Sequence, residues 1–324
     1  MSPAPTSRAP VWRVPLEPGR LSRAFVGLAL ALACLALANA ARAQACCAGA
    51  AAITPGRLEL HETALVGMQA RASAATGTYS ESARFNGMPN GAAELEFRQD
   101  VFASVRWLRR GQTTLMVPFV ESWRRAQTTG AEFGGGLGDV NLAARYDVVR
   151  IREFRAWPGI GVLAGLTLPT GRPPESTKLP LGSDATGVGA VQISAGIALE
   201  QRLGDVLVSG TGLVAQRTSR RVSGVKSTLG TQLTAILGVA VAPSDTSAVA
   251  VVVDYTHEGD ARLDDRVVPN TSSRRLRLST TLGLWPSDEW RVLAGLFLDP
   301  PLDSLGKNES AFVGGSVGVI RSFL

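Results

Sequence analysis

The sequence predicts an all-β protein, an antiparallel transmembrane β-barrel of about 12 strands. Three observations support this. Apolar and polar residues alternate with a period of two along many short runs. Long and short connections alternate between those runs. Beyond residue 43, no apolar run reaches the roughly 18 residues that indicate a membrane-spanning helix.

The composition excludes two broad classes. Hydrophobic residues make up 45% of the 324 residues, which is too apolar for an intrinsically disordered chain. The formal net charge of +6 includes arginines of an N-terminal segment that we expect to be removed. The charge therefore gives no indication of nucleic-acid binding.

The N-terminus has the features of an export signal. An arginine-containing region (8–23) precedes the apolar run 24–38, and small residues at 41–43 fit a cleavage site. The run has about 15 residues, whereas a spanning helix needs about 20. We expect a signal peptide over 1–43, a short periplasmic segment over 44–63 and an outer-membrane barrel over 64–324. The role of Cys46 and Cys47, just after the expected cleavage site, stays open.

The alternation predicts the strands. In the run 190–200, Ile193 and Ile197 fall on one face, whereas Gln192 and Glu200 fall on the other. Several runs reach the roughly 9–11 residues that a tilted strand needs to cross a bilayer. We expect strands near residues 64–79, 92–108, 113–125, 137–150, 159–170, 188–202, 206–218, 230–242, 247–257, 273–285, 289–299 and 311–323.

The connections between these runs carry the strongest argument. The short ones are 109–112, 151–158, 203–205, 243–246 and 286–288. The long, polar ones are 80–91, 126–136, 171–187, 219–229, 258–272 and 300–310. Long external loops and short periplasmic turns are typical of outer-membrane barrels, because a sheet can span lipid only when it closes and leaves no edge. The even strand number places both termini on the periplasmic side.

Aromatic residues add modest support. Five tryptophans lie near the ends of expected strands, as the interfacial rings of such barrels require: Trp107, Trp123, Trp157, Trp285 and Trp290. The last strand departs from the common pattern, since Phe323 is followed by Leu324 rather than ending the chain.

The polar faces of the strands predict the lining of a lumen. The candidates carry both charge signs: Glu94, Glu96, Arg98, Asp100, Arg106, Asp139, Arg145, Asp147, Glu200, Arg275, Arg277, Arg291 and Asp299. They form either a solute path with charged walls or an interior packed with ion pairs. A barrel of about 12 strands lies between the filled and the open types, so size alone does not decide.

Catalytic and metal-binding patterns are weak. The two histidines, His61 and His257, accompany no serine nucleophile pattern, so we expect no enzyme. The acidic stretch 257–265 lacks the spacing of a known calcium loop. We therefore expect no cofactor and no bound metal.

Two segments resemble a known family. Residues 136–146, GLGDVNLAARY, are followed by 159–171, GIGVLAGLTLPTG, and this pair resembles the outer-membrane family labelled MetA-pathway of phenol degradation. The matching positions are Gly136, Gly138, Asp139, Pro169, Thr170 and Gly171. The resemblance implies a transporter-like barrel for small, often hydrophobic or aromatic, compounds. Glycine at a strand entry and proline at a strand exit also have purely structural explanations.

The sequence thus favours an outer-membrane channel or transporter for a small solute. Its expected partners are outer-membrane lipid, that solute and the barrel-assembly machinery, with no nucleic acid. The alternatives are a non-transporting structural or surface-binding barrel and, less favoured, a lipid-modifying enzyme. The sequence does not identify the solute, nor whether the lumen is open.

Overall fold

The computed structural model describes residues 56–324 except 152, 154–156 and 245. The expected signal peptide, its cleavage site and the Cys46-Cys47 pair lie outside the described residues. Within those ranges, no helix is both long and apolar enough to cross a membrane.

The described residues contain eighteen strands: β1 (Ala64–Tyr79), β2 (Phe85–Gly87), β3 (Ala93–Trp107), β4 (Gly111–Ala126), β5 (Gly130–Leu137), β6 (Val140–Val149), β7 (Gly159–Leu168), β8 (Gln192–Leu203), β9 (Val206–Arg217), β10 (Arg220–Val222), β11 (Val225–Thr228), β12 (Gln232–Ser244), β13 (Ser247–Glu258), β14 (Arg262–Leu263), β15 (Arg266–Val267), β16 (Ser273–Ser287), β17 (Trp290–Leu298) and β18 (Ser310–Phe323). One short 3-10 helix, Pro174–Ser176, lies between β7 and β8.

Twelve of these strands form a closed antiparallel barrel, which confirms the predicted fold. They are β1, β3, β4, β6, β7, β8, β9, β12, β13, β16, β17 and β18. The sheet closes where β1 pairs with β18, from Ala64 opposite Phe323 to Thr78 opposite Ser310. Closure pairs the backbone of the two outermost strands, which a sheet in lipid requires.

The connections alternate as predicted. Short turns such as 204–205 and 288–289 lie at the barrel end where β1 begins and β18 ends. We call this the terminal end, and the opposite end, which carries the long connections, the loop end. The longest uninterrupted connection, 169–191, joins β7 to β8.

The long connections contain strands that the sequence analysis placed in irregular loops, and that expectation was wrong. β2 pairs with β1 and β5 with β4, while β10, β11, β14 and β15 form a separate four-stranded sheet. These strands have two to eight residues, so most are too short to show a period. Asp264 and Asp265, with φ of 47° and 64°, form the two-residue turn between β14 and β15.

Side chains alternate between the two faces of the wall. On β8, Ile193 and Ile197 are 61% and 55% exposed on the outer face, whereas Ala198 and Glu200 are buried on the inner face. The outer face of the other wall strands is mostly apolar, with a few charged exceptions such as Glu121 on β4. This is the distribution that a barrel surrounded by lipid requires.

The tryptophans do not all lie on the outer face of the barrel. Trp107 is on the outer face near the terminal end, where its ring stacks on Tyr146 with centroids 5.9 Å apart. Trp285 instead packs against buried Ala242 and Ala248. Its predicted place in the belt of aromatic residues on the outer face was wrong. Trp285 and the inward-facing Arg277 are an even number of residues apart on β16, so both side chains lie on the inner face.

A buried apolar cluster lies inside the terminal end of the barrel. Its members are Leu58, Leu65, Phe102, Leu293 and Ile320, with Met116 packed against them. Four of the five come from wall strands, but Leu58 precedes the first strand. The segment 56–62 therefore enters the barrel instead of lying outside its end.

Candidate functional site

The inner face of β3 forms ion pairs with its neighbours. Asp100, only 3% exposed, lies 2.8 Å from a guanidinium nitrogen of Arg71 on β1 and 2.8 Å from Nε of Arg98. Arg71 and Arg98 stand directly opposite each other across β1 and β3. Like charges so placed repel, and the shared carboxylate offsets that repulsion.

Two further predicted residues lie on the same side of β3. Glu94 pairs with Arg124 of β4, 2.9 Å away. Glu96 stands opposite Ser73 of β1 and forms no ion pair within the described part of the chain. Both positions fit the predicted inner face; a solute-lining role for them stays a prediction.

A second cluster spans three strands, β6 to β8. Arg145 lies 2.7 Å from Asp147 and 3.1 Å from Glu200, and Glu200 also pairs with Arg57. Arg145 reaches Glu200 across β7 at Gly161, where a Cβ would lie 2.9 Å from the guanidinium carbon. A side chain at this position would displace the Arg145 guanidinium from the cluster.

A third group lies on β16 and β17. Arg277 forms two hydrogen bonds, of 2.7 and 2.8 Å, with the carboxylate of Asp299, and its guanidinium lies 4.6 Å from the centre of the Phe297 ring. Arg275 lies on the same side of β16, near Glu309 at the start of β18. Burial raises the pKa of Glu309, and Arg275 opposes that shift.

Arg106 and Arg291, both predicted to line the lumen, contact the N-terminal segment. Arg291 is fully buried and forms an ion pair with Glu62, which is 1% exposed; it also lies 3.6 Å from Glu59. Nε of Arg106 donates to the carbonyl oxygen of Glu62 at 2.7 Å. Two of the predicted charges therefore anchor chain inside the barrel.

Polar contacts complete the anchoring of the segment 56–62. The Ser104 hydroxyl donates to the carbonyl oxygen of Gly56 at 2.8 Å, and the Leu58 N–H donates to Oε1 of Gln112 at 3.1 Å. Together with Arg57, these contacts join the segment to β3, β4, β8 and β17. The segment thus crosses the inside of the terminal end.

The residues that carry the family resemblance meet at the break between β5 and β6. The Thr170 hydroxyl donates to the carbonyl oxygen of Gly138 at 2.7 Å and accepts the Val140 N–H at 3.0 Å. Gly136 has a φ of 154°, a conformation that favours glycine. Pro169 follows the last residue of β7, where the ladder with β6 ends.

Asp139 attaches the connection 169–191 to the wall. Its carboxylate accepts the N–H groups of Gly171 at 2.9 Å and Val188 at 2.6 Å. Side chains at Gly171 or Gly187 would collide with this arrangement, since a Cβ on Gly187 would lie 2.3 Å from the Asp139 carboxylate. The motif is therefore a wall-to-loop junction.

The same connection is bonded to the inner face of β4 and β5. The Leu181 N–H donates to the carboxylate of Glu132 at 3.0 Å, and Arg124 donates to the carbonyl oxygens of Leu181 and Gly182 at 2.9 and 3.0 Å. Glu132 and Arg124 are themselves opposite each other across β4 and β5. The connection thus folds towards the mouth of the barrel.

Asp184 organises the interior of the connection. It is 4% exposed, pairs with Arg172 and accepts the Lys178 N–H at 3.0 Å. The hydrogen bond from Lys178 lowers the pKa of Asp184; burial opposes this shift and Arg172 adds to it. The carboxylate form is therefore the one that this loop structure stabilises.

The histidines and the acidic stretch show no catalytic arrangement. His61 is half exposed, 3.8 Å from Glu59, and the ligand atoms of Glu59, His61 and Glu62 lie within 4.8 Å of one another. Arg291 already contacts both carboxylates, which disfavours a cation there. His257 stands opposite Leu233, on the outer face.

The carboxylates of the stretch 257–265 are bonded to protein groups. Glu258 lies 2.5 Å from Arg217, Asp260 accepts the Ser272 N–H at 2.8 Å, and both Asp264 and Asp265 bond to Lys226. These are contacts that hold the loop-end hairpins together. Whether this stretch binds a cation stays a prediction.

Several interior residues escaped the sequence analysis. Arg71 lies in the predicted strand 64–79. Its alternation with Gln69 and Ser73 is the sequence signal that places it on the polar face. Arg57 and Glu62 precede the first strand, and no period identifies them as interior residues. Only their contacts with Glu200 and Arg291 reveal that position.

Comparison with known proteins establishes the fold. No protein-family model matches the chain, and no curated protein matches it. An outer-membrane channel from Pseudomonas putida F1 is similar in structure, with a TM-score of 0.68 and 14% identity, covering 83% of this chain and 97% of that one. The translocator domain of the autotransporter NalP from Neisseria meningitidis gives 0.49 at 12% identity, covering 86% and 93%. At 14% identity, the similarity to the Pseudomonas putida channel shows the fold alone: the chain has the architecture of an outer-membrane β-barrel.

Proposed function

We propose that this chain is an outer-membrane channel for a small hydrophobic or aromatic solute, closed at its terminal end by its own N-terminal segment. The observation that carries the proposal is the segment 56–62 inside a closed barrel. A wall with an apolar outer face and a charged inner face encloses a route across a membrane. A segment inside that route controls passage along it.

The interior supports the solute class. The apolar cluster around Leu58 and Phe102 places hydrocarbon side chains inside the barrel, next to ion-paired walls. An apolar solute gains from such a surface, because burial of apolar area is favourable. The resemblance of the Gly136–Gly171 junction to a family of transporter-like barrels points in the same direction. The structure from Pseudomonas putida that shares the fold is described as an outer-membrane channel, which supports the channel but not the solute class.

Location and partners follow from the same proposal. The expected signal peptide exports the chain, the barrel-assembly machinery inserts it, and outer-membrane lipid surrounds its apolar face. The terminal end then faces the periplasm and the loop end faces the outside. We expect no enzymatic activity, since neither histidine lies beside a serine nucleophile among the contacts of the described residues.

A second function has one observation in its favour. The segment 56–62 and the connection 169–191 both fill space at the barrel ends, as in a barrel that transports nothing and serves a structural or surface-binding role. The two functions differ in whether the segment can leave the lumen.

Bilayer conductance separates them. We would compare wild-type protein with a variant in which residues 56–62 are replaced by a Gly-Ser linker of equal length. The channel proposal expects a several-fold rise in single-channel conductance, with ion selectivity that shifts on Arg277→Ala or Glu96→Ala. Glu289→Gln, at an exposed turn of the same end, is the control and should leave conductance unchanged. A linker variant that folds but stays silent would exclude the channel.

A further inference from the structure

We propose that the outer face of the barrel carries a binding site for a cationic single-chain amphiphile, with its ammonium group at Glu121 and its chain in an adjoining groove. The site rests on the membrane placement proposed above. It does not depend on an open lumen, because Glu121 and the aromatic residues of the groove lie on the outer face.

Glu121 is a carboxylate on the lipid-facing side of β4. Its neighbours Val120 and Ser122 are 7% and 2% exposed on the inner face, whereas Glu121 is exposed together with Phe119. Among the described residues, no hydrogen bond or ion pair reaches this carboxylate. It lies two residues, about 6.6 Å along the strand, on the barrel-centre side of Trp123.

An ionised group in this position is costly unless it has a partner. Charged residues on the lipid face destabilise a barrel to a degree that depends on depth, and carboxylates less so than Lys or Arg. An unpaired carboxylate on this face is therefore a candidate binding residue. Arg125, on the same face of β4, lies 5.8 Å from the centre of the Trp123 ring, and among the described residues no ion pair joins it to Glu121. The partner that we propose for Glu121 therefore comes from the lipid phase.

Aromatic rings surround the carboxylate. A groove of about 410 Å³ is lined by Glu121 together with Phe97, Trp123 and Phe133. Phe97 stands directly opposite Glu121 across β3 and β4, and Gly135 stands opposite it on β5. A Cβ on Gly135 would lie 3.3 Å from the Glu121 side chain, so the glycine leaves that flank open. A carboxylate beside several ring faces is the arrangement that binds ammonium groups.

The groove continues as an apolar furrow. A second groove, of about 660 Å³, shares Ala72 and Phe97 with the first. Its floor includes Ala70, Ala294 and Gly315, and its flanks include Leu296 and Val317. Small residues beneath larger ones leave a furrow on the barrel surface into which a hydrocarbon chain fits. The head and tail subsites together specify an amphiphile rather than a free cation.

The test measures equilibrium binding to the full-length protein in phosphatidylcholine nanodiscs, against empty nanodiscs. The probes share one chain length: dodecyltrimethylammonium, dodecanol and dodecanoate. We expect saturable binding of the ammonium probe, about tenfold tighter than the alcohol, the order of magnitude of a partly desolvated cation–π contact. Glu121→Gln should remove that preference, while Glu289→Gln, a carboxylate change at the other end of the barrel, should keep it.

Two further variants make the result decisive. Trp123→Leu should weaken ammonium binding although the carboxylate remains. Glu121→Lys should transfer the preference to dodecanoate. Equal binding of the ammonium and the alcohol, or a preference that survives Glu121→Gln, would overturn the site. Such a result would leave the channel proposal intact, whereas failure of the barrel to insert into lipid would overturn both.

Discussion

Different kinds of contact hold chain segments at the two ends of the barrel. At the terminal end, the segment 56–62 is held by buried side chains: Leu58 in an apolar cluster, Arg57 on Glu200 and Glu62 on Arg291. Its backbone also bonds to Ser104, Gln112 and Arg106. At the loop end, the connection 169–191 is held through its own backbone, which donates to Asp139 and Glu132.

This difference bears on which end moves. Charge-assisted hydrogen bonds contribute about 1.5–3 kcal/mol each, and several of them fix the backbone path of the connection. The segment 56–62 is much shorter than the connection 169–191, so we expect it to leave the lumen as a unit once its side chains detach. We infer that the terminal end is the moving gate and the loop end is the fixed rim.

Leu58→Ala should have the largest effect, and it tests whether the terminal end is the gate. Truncation of a buried leucine costs about 2–5 kcal/mol, so the docked segment should open more often. Bilayer recordings should show a larger open fraction than wild type. Leu60→Ala is the matched control, because Leu60 is 58% exposed whereas Leu58 is 5% exposed. Equal effects of the two variants would show that the apolar cluster does not hold the segment.

Asp139→Ala tests the loop end. It leaves the Gly171 and Val188 N–H groups without their acceptor, at a cost of about 1–3 kcal/mol to the closed connection. Trypsin cleavage after Lys178, followed by mass spectrometry, should become faster, with conductance less affected than by Leu58→Ala. Asp205→Ala, in a short turn at the terminal end, should leave that cleavage rate unchanged. A larger effect of Asp139→Ala on conductance than on cleavage would assign the gate to the loop end.

The sequence predicted the wall better than its ends. Strand positions follow from a period of two, which is set by whether each face meets lipid or polar surroundings, as the Ile193–Glu200 run shows. The contacts at the ends join residues far apart in the chain, such as Arg57 with Glu200 and Glu62 with Arg291. No local pattern encodes those pairs. The Gly136–Gly171 motif was recognised as a motif, but its function as a wall-to-loop junction needed the structure.

A fall in pH should destabilise the connection 169–191 at the loop end. The pKa of Asp184 is lowered in the folded state, so its stabilising contribution is complete above the ordinary aspartate pKa of about 3.9 and is lost as the pH falls through the lower folded value. Hydrogen-exchange protection of the Lys178 amide, corrected for intrinsic rates, should therefore be flat from neutral pH to about pH 4 and fall below it. Asp184→Asn should show weak protection at every pH. Loss of protection already near neutral pH would show that another group controls the loop.

The smallest effect is expected at the terminal end itself, from an ion pair that is not buried. Arg321 and Glu289 lie 3.3 Å apart with side chains 47% and 52% exposed. Solvent screens such a pair, so Glu289→Gln should change the free energy of unfolding in urea, measured in lipid vesicles, by less than about 1 kcal/mol. The open fraction should also stay at the wild-type value, in contrast to Leu58→Ala. If Glu289→Gln instead opened the channel, exposed charge at the turns would hold the segment in place. The buried contacts of Leu58, Arg57 and Glu62 would then lose their role as the gate.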